Sequence, residues 1–181
     1  MSNDTAIPRR LDEADPAAPE AGSALTVREL VYADLPAVLA IERRSFQTPW
    51  SLAMFVLELS KPGGVCLGIA APDGTLVGYL VCSRYADIWH LMNIAVTPER
   101  RRRGVATDLM DSLFAATGTN ARITLEVRLS NSPAIDMYKR FGFKPAGHRH
   151  RYYHDNGEDA LIMWLEGTPV TRSVLRPVVP S

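Results

Sequence analysis

The segment Asn93–Met110, NIAVTPERRRRGVATDLM, decides how this chain folds. It opens with the apolar run Ile94, Ala95 and Val96. Thr97-Pro98 ends that run, because proline cannot continue a β-ladder. Four arginines, Arg100 to Arg103, then stand directly against Gly104. From there Val105, Leu109, Met110, Leu113 and Phe114 recur at helical spacing. The order is strand, basic loop, glycine, helix. The first N–H groups of a helix have no internal partners and carry the positive end of its dipole. A loop of amides running into such a terminus is a phosphate cradle. Gly104 allows close approach and an unusual φ, and Ala106 keeps the next turn small. The arginines add charge-assisted contacts at the rim. The physical reading is a diphosphate site built mainly from backbone. The local pattern fits a solvated arginine loop equally well. Neither GxxxxGK[ST] nor GxGxxG occurs, so the ordinary nucleotide motifs do not apply.

Upstream, Leu25–Val31 alternates and reads as a strand. Asp34 is expected to cap a helix with Pro36 in its first turn, ending near Phe46. QTPW breaks it. Ser51 caps a second helix, LAMFVLELS, which Pro62, Gly63 and Gly64 stop. VCLGIAA and LVGYLVCSRY form a hairpin with Asp73-Gly74 in the turn. IWHLMNIAV, Ile88–Val96, is a further strand. Downstream, RITLEVRL alternates around Leu125 and Val127. In NSPAIDMYKRFGF, Ser132 reads as the N-cap, Pro133 as the first helical residue, and Gly142 lies just past the end. FKPAGHRHRYY and EDALIMWLE close the fold as strands, with HDNG turning between them. The expected order is strand, two helices, three strands, helix, strand, helix, two strands. That is an α/β (mixed α+β) architecture, a mixed sheet with helices packed on it.

At 181 residues the chain is long enough for one domain with a proper core. Its formal net charge is zero, so no global basic field draws it to nucleic acid. Residues 1–23 are rich in Ala, Pro, Asp and Glu and read as a disordered leader. Residues 24–166 form the expected domain, and 167–181 a Pro-rich tail. Cys66 and Cys82 sit in apolar stretches and read as buried thiols. No cysteine–histidine spacing suggests zinc, and no metal is expected. The N-terminus has no apolar signal region and no apolar run spans a bilayer, so the expected location is cytoplasmic.

NIAVTPERRRRGVATDLM resembles motif A of the GCN5-related N-acetyltransferases, the GNAT superfamily, whose pattern is Q/R-x-x-G-x-G/A. Arg101, Gly104 and Ala106 stand at its defining positions. LEVRLSNSPAIDMYKRFGF resembles the second signature, an Asn before a helix ending in Y-x-x-x-G-F. SFQTPW, NIAV, LEVR, MYKRFGF and RYYHDNGEDALIMWL together resemble the RimI-type branch, which acetylates an N-terminal alanine of a small-subunit ribosomal protein. The resemblance covers most of the expected domain; leader and tail lie outside it. It implies the GNAT fold, with a central, mixed, splayed sheet of about seven strands flanked by about four helices. It implies acetyl-coenzyme A as co-substrate, whose pantetheine arm pairs with free backbone groups of Ile94, Ala95 and Val96. The pyrophosphate would lie on the amides of Arg102, Arg103, Gly104, Val105, Ala106 and Thr107. Asn131 matches the asparagine that contacts the cofactor arm. Arg101 stands where many relatives carry Gln, which leaves a backbone contact intact.

Amide formation needs an amine that loses a proton, a stabilised oxyanion, and a thiolate that leaves. By pattern, Glu126 fits a solvent-facing strand glutamate or a base; the resemblance assigns it as general base, with a pKa raised by apolar neighbours. By pattern, Tyr138 fits an aromatic packing beside Phe141 and Phe143; the resemblance assigns it as general acid. His90 reads as a structural histidine with no carboxylate at fixed spacing. His148, His150 and His154 read as solvent-facing. Trp50 fits simple core by pattern; the resemblance implies that its stretch and the Tyr152-Tyr153 hairpin border the peptide side. The expected acceptor is a ribosomal-protein N-terminus, with no direct nucleic-acid or membrane partner. A GNAT enzyme for lysine side chains, polyamines or another small amine is the alternative. A non-catalytic acyl-coenzyme A sensor would not need Glu126 and Tyr138. An RNA-binding module would interleave aromatics with the arginines, which this run lacks.

Overall fold

A computed structural model describes residues 25–168. The leader expected at 1–23, and the expected tail beyond Thr168, lie outside the described residues. The elements run β1 Thr26–Glu29, α1 Leu35–Ser45, α2 Leu52–Ser60, β2 Val65–Ala70, β3 Leu76–Tyr85, β4 Ile88–Val96, α3 Val105–Thr117, β5 Arg122–Arg128, α4 Ser132–Arg140, β6 Lys144–Tyr153 and β7 Glu158–Glu166. This is the order read from the sequence. The described strands form one sheet, β1-β2-β3-β4-β5-β7-β6.

Two helix starts differ from expectation. Asp34 does not cap α1. A 3-10 turn over Tyr32–Asp34 runs straight into the helix, so Asp34 already has helical dihedrals. Its carboxylate turns back, accepting from both Arg28 nitrogens at 2.7 Å and from the Val31 N–H at 2.9 Å. For α4, the cap is Asn131 rather than Ser132: its side-chain oxygen accepts from the Ala134 N–H at 3.3 Å. Pro133 is therefore the second helical residue. At the other end, order continues past Glu166. The Gly167 N–H bonds the Ala121 carbonyl, and the Thr168 N–H bonds that of Thr119, each at 3.0 Å.

The sheet separates two cores. On one face α1 and α2 pack Val38, Ile41 and Phe55 against Tyr79, Val81 and Ala95. On the other, α3 and α4 pack Leu109, Leu113 and Ile135 against Leu80, Leu91, Ile123, Leu125 and Val127. All strand neighbours are antiparallel except β4 and β5. Those two pair only from Ile88↔Arg122 to Leu91↔Leu125. Beyond that point β4 stays with β3, as far as Gly78↔Val96, and β5 stays with β7, as far as Arg128↔Ala160. The sheet therefore parts between β4 and β5. A register shift opposite Val81 and Cys82 leaves Met92 unmatched, and a bulge of this kind bends its strand.

Candidate active site

The parting of β4 from β5 exposes backbone. The Thr97 N–H donates to the Val77 carbonyl at 2.9 Å. Antiparallel bonding alternates from there, so Ala95 exchanges its bonds with Tyr79 on β3. Ile94 and Val96 aim their N–H and C=O groups into the gap. The sequence reading grouped Ala95 with them as a free backbone; alternation turns its polar groups the other way. The Val96 carbonyl is already taken, accepting from Arg101 Nε at 3.1 Å. The gap thus keeps both polar groups of Ile94 and the N–H of Val96.

The basic loop closes one end of the gap. Gly104 has φ 85°, which favours glycine, and nothing lies within 4 Å of where a Cβ would stand. The first amide bonded back in this segment is that of Asp108, to the Gly104 carbonyl at 3.0 Å. Among the described residues the amides from Arg102 to Thr107 have no backbone acceptor. The arginines divide. Arg101 turns inward, strapping the loop to the Val96 carbonyl and to Ser45 Oγ at 3.2 Å. Arg102 and Arg103 stay exposed at the rim, while Val105 anchors the loop in the core. Asn131 is spent partly on capping α4, which leaves its amide NH₂ for other partners.

Glu126 lies where the strands part. Its side chain is only 6% exposed, so it is not a solvent-facing strand residue. On the face shared with α1 and α2 it meets a histidine and an arginine. His90 Nε2 is 2.5 Å from Oε2, and Arg149 Nη2 is 3.0 Å from Oε1. The parallel register sets the first contact: His90 pairs with Thr124, and Glu126 is two residues on, on the same side. The sequence reading found no carboxylate at fixed spacing from His90 and expected a raised pKa for Glu126. The structure supplies the first and corrects the second. Burial pushes the carboxyl up more than any other single influence. The His90 hydrogen bond and the charges of His90 and Arg149 together outweigh it and hold the group below its ordinary value.

Tyr138 approaches from the opposite face, its ring 5.6 Å from that of Phe143. Burial, helped by nearby Tyr153, raises its phenol pKa, so it keeps its proton. No described group hydrogen-bonds its hydroxyl. The Glu126 carboxylate and the Tyr138 phenol are thus both buried, on opposite faces of the sheet.

These features have a counterpart in known proteins. The sequence profile of the acetyltransferase (GNAT) family matches residues 35–143. The chain belongs to that family. A putative [ribosomal protein bS18]-alanine N-acetyltransferase of Bacillus subtilis (strain 168) is 39% identical over 141 residues, covering 77% of this chain and 93% of that protein. The [ribosomal protein bS18]-alanine N-acetyltransferase of Escherichia coli (strain K12) is 35% identical, covering 77% and 96%. The crystal structure of the Escherichia coli ribosomal-protein-S18-alanine N-acetyltransferase superposes with a TM-score of 0.74 at 30% identity, over 84% of this chain and all (100%) of that one. Ard1 from Thermoplasma volcanium gives 0.71 at 29%, over 79% and 97%.

In this GNAT chain some side chains that build the surroundings of the gap were not singled out by sequence reasoning. Glu42 on α1 is 1% exposed. It accepts from the Tyr79 hydroxyl, from the Trp50 N–H at 2.7 Å and from Asn93 Nδ2 at 3.3 Å. It thereby fixes the α1–α2 connection beside the gap. A signal existed: Leu35, Val38 and Glu42 share one helix face, so a carboxylate sat on an apolar stripe. Across the gap, Arg128 bonds Asp155 at 2.7 Å and Glu158 at 3.2 Å and lies 3.8 Å over the Tyr153 ring. The Arg128 bond holds the Asp155 carboxyl below its usual range. His148, His150 and His154 lie in and just past exposed β6, and His150 Nδ1 meets Asp159 Oδ2 at 2.9 Å. Among the described residues no three His, Cys, Asp or Glu side chains are grouped to hold a metal, and no helix is long and apolar enough to cross a membrane. A separate cavity of about 330 Å³, lined by Leu30, Leu59, Cys66 and Ala116, contains none of the residues at the gap.

Proposed function

We propose that this protein transfers the acetyl group of acetyl-coenzyme A to the α-amine of an N-terminal alanine on a small-subunit ribosomal protein, in the cytoplasm. The observation that carries the reading is the Glu126 carboxylate, buried at the point where β4 leaves β5. The likeness to the two alanine N-acetyltransferases supports the acceptor class.

The cofactor side is backbone. The pyrophosphate lies on the amides from Arg102 to Thr107, with Arg102 and Arg103 at the rim. The pantetheine arm runs along Ile94 and Val96, and Asn131 offers its amide. This places the thioester in the gap, between Glu126 on one face and Tyr138 on the other. The amine gives a proton to Glu126, directly or through a water, and attacks the thioester carbon. An N–C bond forms and the carbonyl oxygen gains charge, which a backbone N–H of Ile94 or Val96 stabilises. The C–S bond then breaks, and the Tyr138 hydroxyl donates toward the departing sulfur.

One finding favours an α-amine over a lysine. Glu126 is held below its ordinary value, so it is a weak base. An α-ammonium has a pKa of about 8 against about 10.4 for lysine, and asks less of that base. The test is transfer to a short peptide beginning with alanine, compared with the same peptide blocked at its terminus and carrying a lysine. Acetylation of the free terminus alone is the expected result. Acetylation of the blocked peptide at a comparable rate would replace this reading with a lysine acetyltransferase.

A further inference from the structure

Glu126 is the base in the reading above, and the inference here rests on that reading. The groups facing its carboxylate come from two strands: His90 from β4, and Arg149, Tyr152 and Tyr153 from β6. The histidine and the arginine differ in how they are held. His90 is 23% exposed and fixed by the register of the sheet. Arg149 is 54% exposed, reaching in from the rim of an edge strand.

The backbone is built to aim it. After a first register shift between Pro145 and Gly147, the β6–β7 pairing runs in step from Gly147↔Ile162 to Arg149↔Ala160 and resumes only at Tyr153↔Glu158. The extra residues bulge out, with Arg151 at φ 50°, a conformation that non-glycine residues rarely adopt. Asp159 holds that conformation. It accepts from the Arg151 N–H at 2.8 Å and meets His150 Nδ1 at 2.9 Å. Bulges beside active sites re-aim side chains. Here the bulge breaks the strict alternation and lets Arg149 and Tyr152 converge, with the guanidinium 5.6 Å from the Tyr152 ring centre.

We infer that Arg149 is a positioning residue that occupies, in the empty enzyme, the place on Glu126 Oε1 that the acceptor's α-ammonium takes on binding. A buried carboxylate needs a cationic or hydrogen-bonding partner in every state it visits. Arg149 supplies one before the acceptor arrives, and its exposed, edge-strand position lets it swing out without disturbing the sheet. The ammonium then arrives at the oxygen of the group that removes its proton. Arg149 is therefore a competitor of the acceptor for Glu126, not one of its binding partners.

The test pairs Arg149→Gln with two peptides that differ only at the first residue, one with a free α-amine and one in which hydrogen replaces that amine. Binding of each is measured by calorimetry with coenzyme A present. The free-amine peptide should bind the variant about two- to fivefold more tightly than wild type, as expected for loss of a competing, half-exposed ion pair. The peptide without the amine should show no gain. Weaker or unchanged binding of the free-amine peptide would overturn the inference, as would an equal gain for both. An arm without peptide uses ¹³C NMR of the Glu126 carboxyl. Arg149→Gln should move its titration upward and Arg149→Lys should restore much of the wild-type value; no movement overturns the inference. Failure of the base reading looks different: Glu126→Gln would then keep its turnover whatever Arg149 does.

Discussion

The two sides of the gap are made of different materials. The proposed coenzyme side is, apart from Asn131, one continuous stretch, Ile94 to Thr107, and offers mostly main-chain amides. The proposed acceptor side gathers His90, Glu126, Arg149 and Tyr152 from three strands, and Glu42 and Trp50 from the α1 region. Main-chain amides need only a glycine, a turn and a helix start, all local in sequence. A carboxylate held between a histidine and an arginine needs the register of a whole sheet. The first side can therefore persist while side chains change, whereas the second is rewritten by a single substitution.

That contrast can be broken or sharpened by substitution. The largest effect is expected at Glu42, which serves the acceptor side. Glu42→Ala leaves the Trp50 N–H, the Tyr79 hydroxyl and the Asn93 amide without their acceptor. It should cost about 3–5 kcal/mol by urea unfolding, as for breaking a buried charged network. A loss under ~1 kcal/mol would mean that Glu42 does not hold the α1–α2 connection. Next comes Tyr138→Phe, expected to lower kcat by about 10²-fold while coenzyme affinity stays as it was, the usual share of a general acid. An equal fall in both would make Tyr138 a packing residue. Smaller still is Gly104→Val on the coenzyme side. Left-handed φ costs a side-chain-bearing residue about 1–2 kcal/mol, so the Kd for coenzyme A should rise about five- to thirtyfold. The peptide KM at saturating coenzyme should not move; if it does, the two sides are not separable.

The smallest effect concerns pH. The folded Glu126 carboxyl titrates below its ordinary value, so its pairing stabilises the fold above that value. The contribution fades as pH falls through the lowered folded pKa. Glu126→Gln should therefore be less stable than wild type at neutral pH, and the difference should shrink in acid. A difference that stays constant down to about pH 3 would show that the carboxylate's charge contributes nothing.

The legibility of each side in the sequence follows from the same contrast. The strand–arginine–glycine–helix order was readable because periodicity, a proline stop and a glycine start are local signals. The succession of strands and helices along the chain was readable for the same reason; the order of strands within the sheet was not. The helix caps were less so: Asn131 and Ser132 are both good caps, and only the course of the chain decides between them. The backbone directions of Ile94 and Ala95 depend on which residue of β3 faces Thr97, and that register is not written in β4 alone. His90 and Glu126 were each visible, but their bond arises from a parallel pairing across 36 positions. Arg149 reaches Glu126 through a bulge that strand periodicity hides.

The most direct test of the central claim is the turnover number of Glu126→Gln with an alanine-initiated peptide and acetyl-coenzyme A, both saturating. The account predicts a fall of at least about 10²-fold, with coenzyme A binding as tightly as to wild type. Turnover within a few-fold of wild type would contradict it, and would leave the buried carboxylate with a purely structural role.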